Sequence, residues 1–267
     1  MIEIDSLNGW LDNLHKVTAV PQQPVDVEHP VIERPHTSIP VSLGWRERKE
    51  IVNIVRLVQA IAEPIITKNN PYAKMYIAGG AVRDLVYPLK YGKDRLQPKD
   101  VDIFITGLKG DHNKITKLFN QIRTATKFGD AIHWLSNPYF AEENRFCVLS
   151  TNILDNVSID IIQGKEDIES TVGSFDWYEC CWYLHDVAGM DAYRPDLKFI
   201  CDRQQIDIPE VREDVLTLLG AHHAPKTLAR GFKMVERHGF NISIDQVVAL
   251  ATEARLAEEK YGRYIHT

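Results

Sequence analysis

The sequence predicts an α+β fold in which a set of strands and helices is followed by a mostly helical C-terminal region. Short apolar runs with period-two alternation lie between residues 75 and 162, and helical apolar spacing dominates after Asp207. The 267 residues, 44% hydrophobic and 25% charged, have the composition of a globular protein with a sizeable core. We divide the chain into an N-terminal arm, 1–45, a central domain, 46–165, and a mostly helical C-terminal domain, 166–267.

The N-terminal arm contains a proline-rich segment between about residues 20 and 43. Its five prolines are Pro21, Pro24, Pro30, Pro35 and Pro40. Because a proline drives the preceding residue to extended conformations, the segment is predicted to be non-helical, either an arm on a partner surface or a linker. A short helix is expected ahead of it, within about the first 15 residues.

The central domain is predicted to begin with a helix and to continue with strands and helices. Apolar residues recur at three- and four-residue steps from Ile51 to Ile61, which indicates an amphipathic helix that ends before Pro64. A strand at 75–78 then passes through Gly79-Gly80 into a helix. The further predicted strands are 101–105, 146–149 and 157–162, and the predicted helices are 81–86 and about 113–125.

The C-terminal domain begins with an aromatic-rich segment, 174–184, whose pattern fits both a strand pair and a buried helix. We expect its aromatic side chains to pack in the core rather than to stack on bases. Helices are predicted at about 210–219, 227–238 and 245–261. Ser243 and Gln246 have capping-box spacing for the last of these helices.

Charge and hydropathy exclude two classes of protein. The chain has 31 basic and 37 acidic side chains, a net charge of −6, which excludes a generally basic nucleic-acid coat. No apolar stretch reaches the roughly 18 residues of a membrane span, and the N-terminus lacks a signal-peptide pattern. We therefore expect a soluble, cytoplasmic protein with no membrane partner. The four cysteines show no CxxC spacing and are predicted to be reduced structural thiols.

The Gly79-Gly80 pair lies where a strand passes into a helix, an arrangement that is suited to phosphate binding. Glycines let backbone N–H groups approach an anion, and the helix N-terminus adds positive potential. Arg83 follows within one helical turn and is expected to face the same anion with a forked donor. Asp84 is expected to brace either the turn or Arg83.

Three aspartates carry the predicted chemistry. Asp100 and Asp102 alternate with the apolar residues Val101 and Ile103, so both carboxylates are expected on one face of a strand. Asp160 shows the same alternation in a later strand, which predicts that it reaches the same edge. Clustered carboxylates repel one another unless a cation lies between them, and such oxygen ligands suit Mg²⁺ or Mn²⁺. The pattern predicts a two-metal site for phosphoryl transfer.

Two motifs resemble the head-domain signature of the polymerase-beta-type nucleotidyltransferases, in the branch of CCA-adding enzymes and bacterial poly(A) polymerases. They are IAGGAVRD at 77–84 and KDVDIF at 99–104, and the segment 227–242 is similar to the neck helix of those enzymes. The resemblance implies a head with a mixed sheet and flanking helices, magnesium as cofactor and a nucleoside triphosphate donor. It also implies that Asp100, Asp102 and Asp160 are the catalytic metal ligands. Shorter nucleotidyltransferase-like proteins of phage genomes are similar as well.

A stripe of cations is predicted on the neck-like helix. This basic stripe comprises Lys226, Arg230, Lys233 and Arg237, at i, i+4, i+7 and i+11. It fits both a contact with nucleotide or RNA phosphates and an ordinary solvated face. In the first interpretation, the nucleotide-binding residues are Gly79, Gly80, Arg83, Asp84, Arg230, Lys233 and Arg237. Gly231, within the same helix, indicates that another element approaches its backbone closely.

The sequence therefore predicts a magnesium-dependent nucleotidyltransferase that moves a nucleoside monophosphate from a triphosphate to an acceptor hydroxyl, with an RNA 3′ end, as in tRNA processing, as the expected acceptor. Two alternatives stay open: transfer to a protein or small-molecule hydroxyl, which the acidic net charge favours, and a non-catalytic nucleotide- or RNA-binding module. The loop from Asp84 to Asp100 is longer than is usual in the family, and its cations are Lys90, Lys93, Arg95 and Lys99. The sequence shows no Asp-x-x-Arg base-reading motif, and it assigns neither a base preference nor an oligomeric state.

Overall fold

The computed structural model describes residues 36–41, 49–88, 100–126, 135–140, 145–153, 157–185, 191–221 and 223–261. Its helices are α1 (Lys49–Asn69), α2 (Gly80–Val86), α3 (His112–Ala125), α4 (Ile168–Gly173), α5 (Leu197–Gln204), α6 (Ala224–His238) and α7 (Ile244–Tyr261). Its strands are β1 (His36–Pro40), β2 (Lys74–Ala78), β3 (Asp100–Thr106), β4 (Leu135–Phe140), β5 (Arg145–Ile153), β6 (Val157–Gln163), β7 (Tyr183–Leu184) and β8 (Asp191–Pro195).

The strands of the described residues form one mixed sheet in the order β1-β8-β7-β2-β3-β6-β5-β4. Strands β3 and β6 run parallel, and the other neighbours are antiparallel. The predicted α+β class, with a mixed sheet, flanking helices and a mostly helical C-terminal region, is confirmed. The sheet also contains β1, which precedes the segment 46–165, and β7 and β8, which follow it. The domain boundaries at 45 and 165 stay a prediction.

The alternation of β3 separates two cores. On one face, Val101, Ile103 and Ile105 are buried with apolar side chains of α1 and α3. On the opposite face, Phe104 is buried in a second cluster with Tyr76 and with side chains of α4 and α5. Because side chains alternate along a strand, the even-numbered positions of β3 all lie on this second face.

A third core attaches the C-terminal helices to the rest of the protein. Trp177 is fully buried in it with Met234 of α6 and Leu250 of α7. A Cβ atom on Gly231 would lie 2.9 Å from Cζ2 of Trp177, so only glycine lets α6 lie this close to the indole. The indole Nε1 donates to the backbone oxygen of Thr227 at 3.0 Å. The close approach that Gly231 indicated is therefore present.

Helix α1 continues through Pro64, and the prediction that it ends before this residue is wrong. A proline inside a helix leaves the carbonyl four residues earlier without its usual donor. That carbonyl belongs to Ala60, and because Ala60 and Pro64 are both exposed, water can satisfy it. The last turns bury Ile66 to 1% exposure, and this burial offsets the lost hydrogen bond.

No helix forms at 210–219, so that prediction is also wrong. Backbone groups of this segment bond to other parts of the chain: the N–H of Leu216 donates to the oxygen of Asn241, and that of Leu219 donates to the oxygen of Asp176. The apolar spacing arises because Leu216 and Leu219 are buried from an irregular segment. Sequence periodicity does not distinguish that case from an amphipathic helix.

The aromatic segment 174–184, whose pattern left two structures open, forms a 3-10 helix, Tyr178–Cys180, and the short strand β7. Its tryptophans, Trp177 and Trp182, are buried, as expected for core packing. Cys180, Cys181 and Cys201 are buried free thiols, in agreement with the prediction. In the proline-rich segment, β1 is extended and pairs with β8, whereas the helix expected near the N-terminus lies outside the described residues. Within the described residues, no helix combines the length and apolarity that crossing a bilayer requires.

Candidate active site

Three carboxylates occupy neighbouring positions on the parallel strands β3 and β6. In the sheet register, Asp102 is opposite Asp160 on one side and opposite the small residue Ala78 on the other. Neighbouring strands are about 4.8 Å apart, and Asp100 lies two residues before Asp102 on the same face. The fold therefore brings together the three acids that the sequence indicated, and their catalytic role stays a prediction.

The electrostatic environment of Asp102 is that of a crowded anion. Its pKa is raised to about 8, mainly by burial and further by repulsion from Asp100 and Asp160. The charge of Arg230 acts in the opposite direction. A cation placed among the carboxylates would relieve the repulsion and favour the ionised form.

The donor set fits Mg²⁺ or Mn²⁺, since both ions prefer carboxylate oxygens. Gly79 leaves room beside the cluster, because a Cβ atom there would lie 3.5 Å from Oδ2 of Asp102, and its φ of +83° favours glycine. Among the described residues, no three carboxylate, imidazole or thiol side chains are placed so that they could hold a metal ion as they stand. The acids are therefore an open cluster whose side chains would have to turn toward one point to coordinate a metal.

The guanidinium of Arg83 lies beside the Gly79-Gly80 turn and bonds to protein groups. Arg83 is 5% exposed. It donates from Nε and Nη2 to Oδ1 of Asp84 at 2.9 and 2.6 Å, and from Nη1 to Sγ of Cys180 at 3.5 Å. A Cβ atom on Gly80 would lie 3.6 Å from Nη2 of Arg83. Of the two roles expected for Asp84, the structure therefore shows the brace on Arg83.

Asp84 also joins α2 to the C-terminal end of α6. Its Oδ2 accepts from Nη2 of Arg237 at 2.7 Å, and its Oδ1 lies 3.0 Å from Nε2 of His238. Burial by itself would raise the pKa of Asp84, but the hydrogen bond with His238 and the charge of Arg83 hold it below its ordinary value. One buried carboxylate thus serves three donors on two helices.

Two further cations of the basic stripe approach the acid cluster. Nη1 of Arg230 pairs with Oδ2 of Asp176, and the charge of Arg230 also acts on Asp102. Lys233 is partly buried, which lowers its pKa, while Asp100 attracts its ammonium group. Within the stripe, Arg230 and Lys233 therefore interact electrostatically with the acids, Arg237 pairs with Asp84, and Lys226 at the start is exposed.

Asp176 and His238 belong to this site, although no sequence pattern indicated them. Asp176 lies within the aromatic segment, and His238 is the last residue of a basic helix. Neither position carries a periodic signal, and only the packing of α6 against α2 and the 174–184 segment reveals their partners. The loop cations Lys90, Lys93, Arg95 and Lys99 lie outside the described residues.

A cleft of about 800 Å³ lies at the opposite end of β3 and β6 from the acids. Gly107 and Gln163, at the carboxyl ends of these strands, line it together with Tyr72 and Arg203. Asp100, by contrast, begins β3. The cleft is therefore separate from the acid cluster.

No family model matches the sequence, and no curated protein matches it. Among solved structures, the chain is similar to CCA-adding enzymes. An apo form gives a TM-score of 0.49 at 15% identity, over 84% of this chain and 47% of that chain. A complex with ATP gives a TM-score of 0.49 at 17% identity, over 84% of this chain and 48% of that chain. The Thermotoga maritima enzyme complexed with tRNA gives a TM-score of 0.48 at 18% identity, over 84% of this chain and 46% of that chain. The chain spans about half the length of these solved chains.

Proposed function

We propose that this protein is a metal-dependent nucleotidyltransferase that moves a nucleoside monophosphate from a nucleoside triphosphate to an acceptor hydroxyl. The proposal depends on one observation: Asp100, Asp102 and Asp160 cluster on β3 and β6, and two cations of α6, Arg230 and Lys233, interact electrostatically with Asp102 and Asp100. Carboxylates that hold a cation and basic side chains that hold phosphate are the two parts that phosphoryl transfer from a metal-bound triphosphate needs.

In the proposed reaction, the acceptor hydroxyl releases its proton to solvent and its oxygen forms a bond to the α-phosphorus, while the bond from this phosphorus to the bridging oxygen breaks and pyrophosphate leaves. Mg²⁺ or Mn²⁺ held by the three aspartates would supply Lewis acidity for the attacking hydroxyl and the triphosphate. Lys233 and Arg230 are proposed to contact the phosphates, and the backbone of Gly79 and Gly80 to approach them. Arg83, Asp84 and Arg237 are proposed to support this nucleotide site through their mutual ion pairs.

An RNA 3′ end is the proposed acceptor. The similarity of the IAGGAVRD and KDVDIF motifs to those of CCA-adding enzymes supports this choice. A protein or small-molecule hydroxyl is the second candidate, because the net charge of −6 gives the protein as a whole no general attraction for RNA.

The experiment supplies each of the four nucleoside triphosphates, labelled at the α-phosphate, together with Mg²⁺ or Mn²⁺, total cellular RNA and total cellular protein. We expect label at RNA 3′ ends with the wild type and none with Asp102→Asn. The matched control is Asp202→Asn, which removes an exposed carboxylate that pairs with Lys198 far from the acid cluster, and it should label as the wild type does. Label in the protein fraction would support the second acceptor, and no label with either metal would contradict the proposed reaction.

A further inference from the structure

Two buried carboxylates hold the two arginines that flank Lys233 on α6. Asp176 pairs with Arg230, and Asp84 pairs with Arg237; the two acids are only 6% and 4% exposed. Positions i and i+7 are two helical turns apart on the same face, and Lys233 lies between them. The stretch of α6 that carries Lys233 is therefore fastened at both ends.

The charges around Lys233 give its ammonium group a preferred direction. Arg83 and Arg237 repel it, whereas Asp100 attracts it most strongly and Asp84 attracts it less. The flanking arginines already have their own carboxylates, so they do not compete with Lys233 for Asp100. If either arginine lost its partner, its charge would be free to move toward the acid cluster and displace the lysine.

We propose that Asp84 and Asp176 are positioning residues that, by holding Arg237 and Arg230, keep the ammonium of Lys233 beside Asp100, where it binds the donor triphosphate. This inference rests on the proposed function and adds a division of roles within the basic stripe. Lys233 and Arg230 contact the phosphates, and the ion pairs of Arg230 and Arg237 also hold α6 in place. Neither Asp84 nor Asp176 touches the substrate, and each acts through α6.

Asp176 is the better residue for a test. The side chain of Arg230 is 59% exposed, so water can solvate it when its partner is removed. The backbone oxygen of Asp176, which accepts from the N–H of Leu219, is unaffected by a change of side chain. Asp84, in contrast, is buried beneath three donors, and Asp84→Asn is expected to destabilise the fold as well.

The experiment is a double-mutant cycle of Asp176→Asn and Lys233→Met in the full chain, with Asp202→Asn as control. The readouts are the dissociation constant of Mn²⁺ with a non-hydrolysable nucleoside triphosphate, the single-turnover transfer rate and the melting temperature. We expect Asp176→Asn to weaken triphosphate binding about tenfold in the wild-type background and less than about twofold beside Lys233→Met, because linked residues are not additive. Asp176→Glu, which keeps the charge on a longer side chain, should restore part of the affinity and leave a loss of about threefold, and Asp202→Asn should bind as the wild type does.

Equal losses of affinity in the two backgrounds would overturn the positioning role, because a purely structural effect does not depend on Lys233. A wild type that binds no triphosphate would overturn it as well. If the wild type binds triphosphate but labels no acceptor, the proposed reaction fails while the affinity cycle still decides the role of Asp176. Should Asp176→Asn not fold, Asp176→Glu replaces it in the cycle, with a loss of about threefold expected only beside an intact Lys233.

Discussion

Replacement of Asp102 by asparagine is expected to stabilise the metal-free protein while it removes transfer. The carboxylate is crowded by Asp100 and Asp160 and partly buried, so its ionisation is unfavourable in the folded chain. Asparagine has nearly the same shape and carries no charge. The substitution therefore removes the repulsion and leaves the packing of β3 unchanged.

The magnitude follows from the pKa of Asp102, about 8 in the folded protein against an ordinary value of 3.8. Between these pH values the carboxyl of Asp102 has lost its proton in the unfolded chain and keeps it in the folded chain. The free energy of unfolding therefore falls as the pH rises from about 4, and the decrease is complete near pH 8. At about 1.4 kcal/mol per pKa unit, the upper limit is about 6 kcal/mol. Because Asp102 is partly exposed, solvent screening reduces the expected effect to about 1–3 kcal/mol.

The measurement is urea unfolding in EDTA at about pH 5, 7 and 9 for the wild type, Asp102→Asn and the control Asp202→Asn. The stability difference between Asp102→Asn and the wild type should be smallest at the lowest pH and reach about 1–3 kcal/mol at the highest. Added Mg²⁺ should narrow the difference by stabilising the wild type alone. If the free energies of unfolding of the wild type and Asp102→Asn changed with pH in parallel, repulsion among the carboxylates would not destabilise this site.

Three further predictions concern the attachment of α6 and the acceptor. Gly231→Ala places a Cβ atom 2.9 Å from the Trp177 ring, so thermal unfolding should show a loss of about 1–3 kcal/mol despite a gain of about 1 kcal/mol in helix propensity. Arg83→Met leaves the buried Asp84 with less positive charge around it, and urea unfolding should show a loss of about 3–5 kcal/mol; an unchanged midpoint would contradict the pairing. If RNA is the acceptor, its binding should weaken with salt at a log-log slope of about −0.7 per phosphate contact, and alanine at all four positions of the basic stripe should flatten that slope. Equally steep slopes for the two proteins between about 50 and 200 mM salt would exclude this stripe as an RNA contact.

The sequence by itself determines the local features of this protein. Alternation along β3 places Asp100 and Asp102 on one face because side chains of a strand point to opposite sides in turn. The capping box of α7 forms as its spacing predicts: the N–H of Ser243 donates to Oε1 of Gln246, and the N–H of Gln246 donates to Oγ of Ser243, both at 3.2 Å. Such features depend on residues within about one turn of each other, so neighbours in the sequence are sufficient to specify them.

Local pattern failed where distant partners took the backbone or solvent satisfied it. The segment around Leu216 has helical spacing, but Asn241 accepts the hydrogen bond that a helix would have made internally. Pro64 should end a helix, yet the carbonyl it leaves is on an exposed side while Ile66 is buried beyond it. In both places burial of apolar side chains outweighed the local signal.

Only the tertiary structure decided which partners the charged side chains take. Helical spacing predicted the basic stripe, but nothing in the sequence pairs Arg230 with Asp176 or Arg237 with Asp84, because these residues lie far apart along the chain. Likewise, the parallel register of β3 and β6 sets Asp160 opposite Asp102. The physical reason is the range of the interactions. Strand alternation and helix capping act between residues close in sequence, whereas an ion pair forms only when core packing brings two distant segments together. Here the packing of α6 at Gly231 against Trp177 brings these segments together.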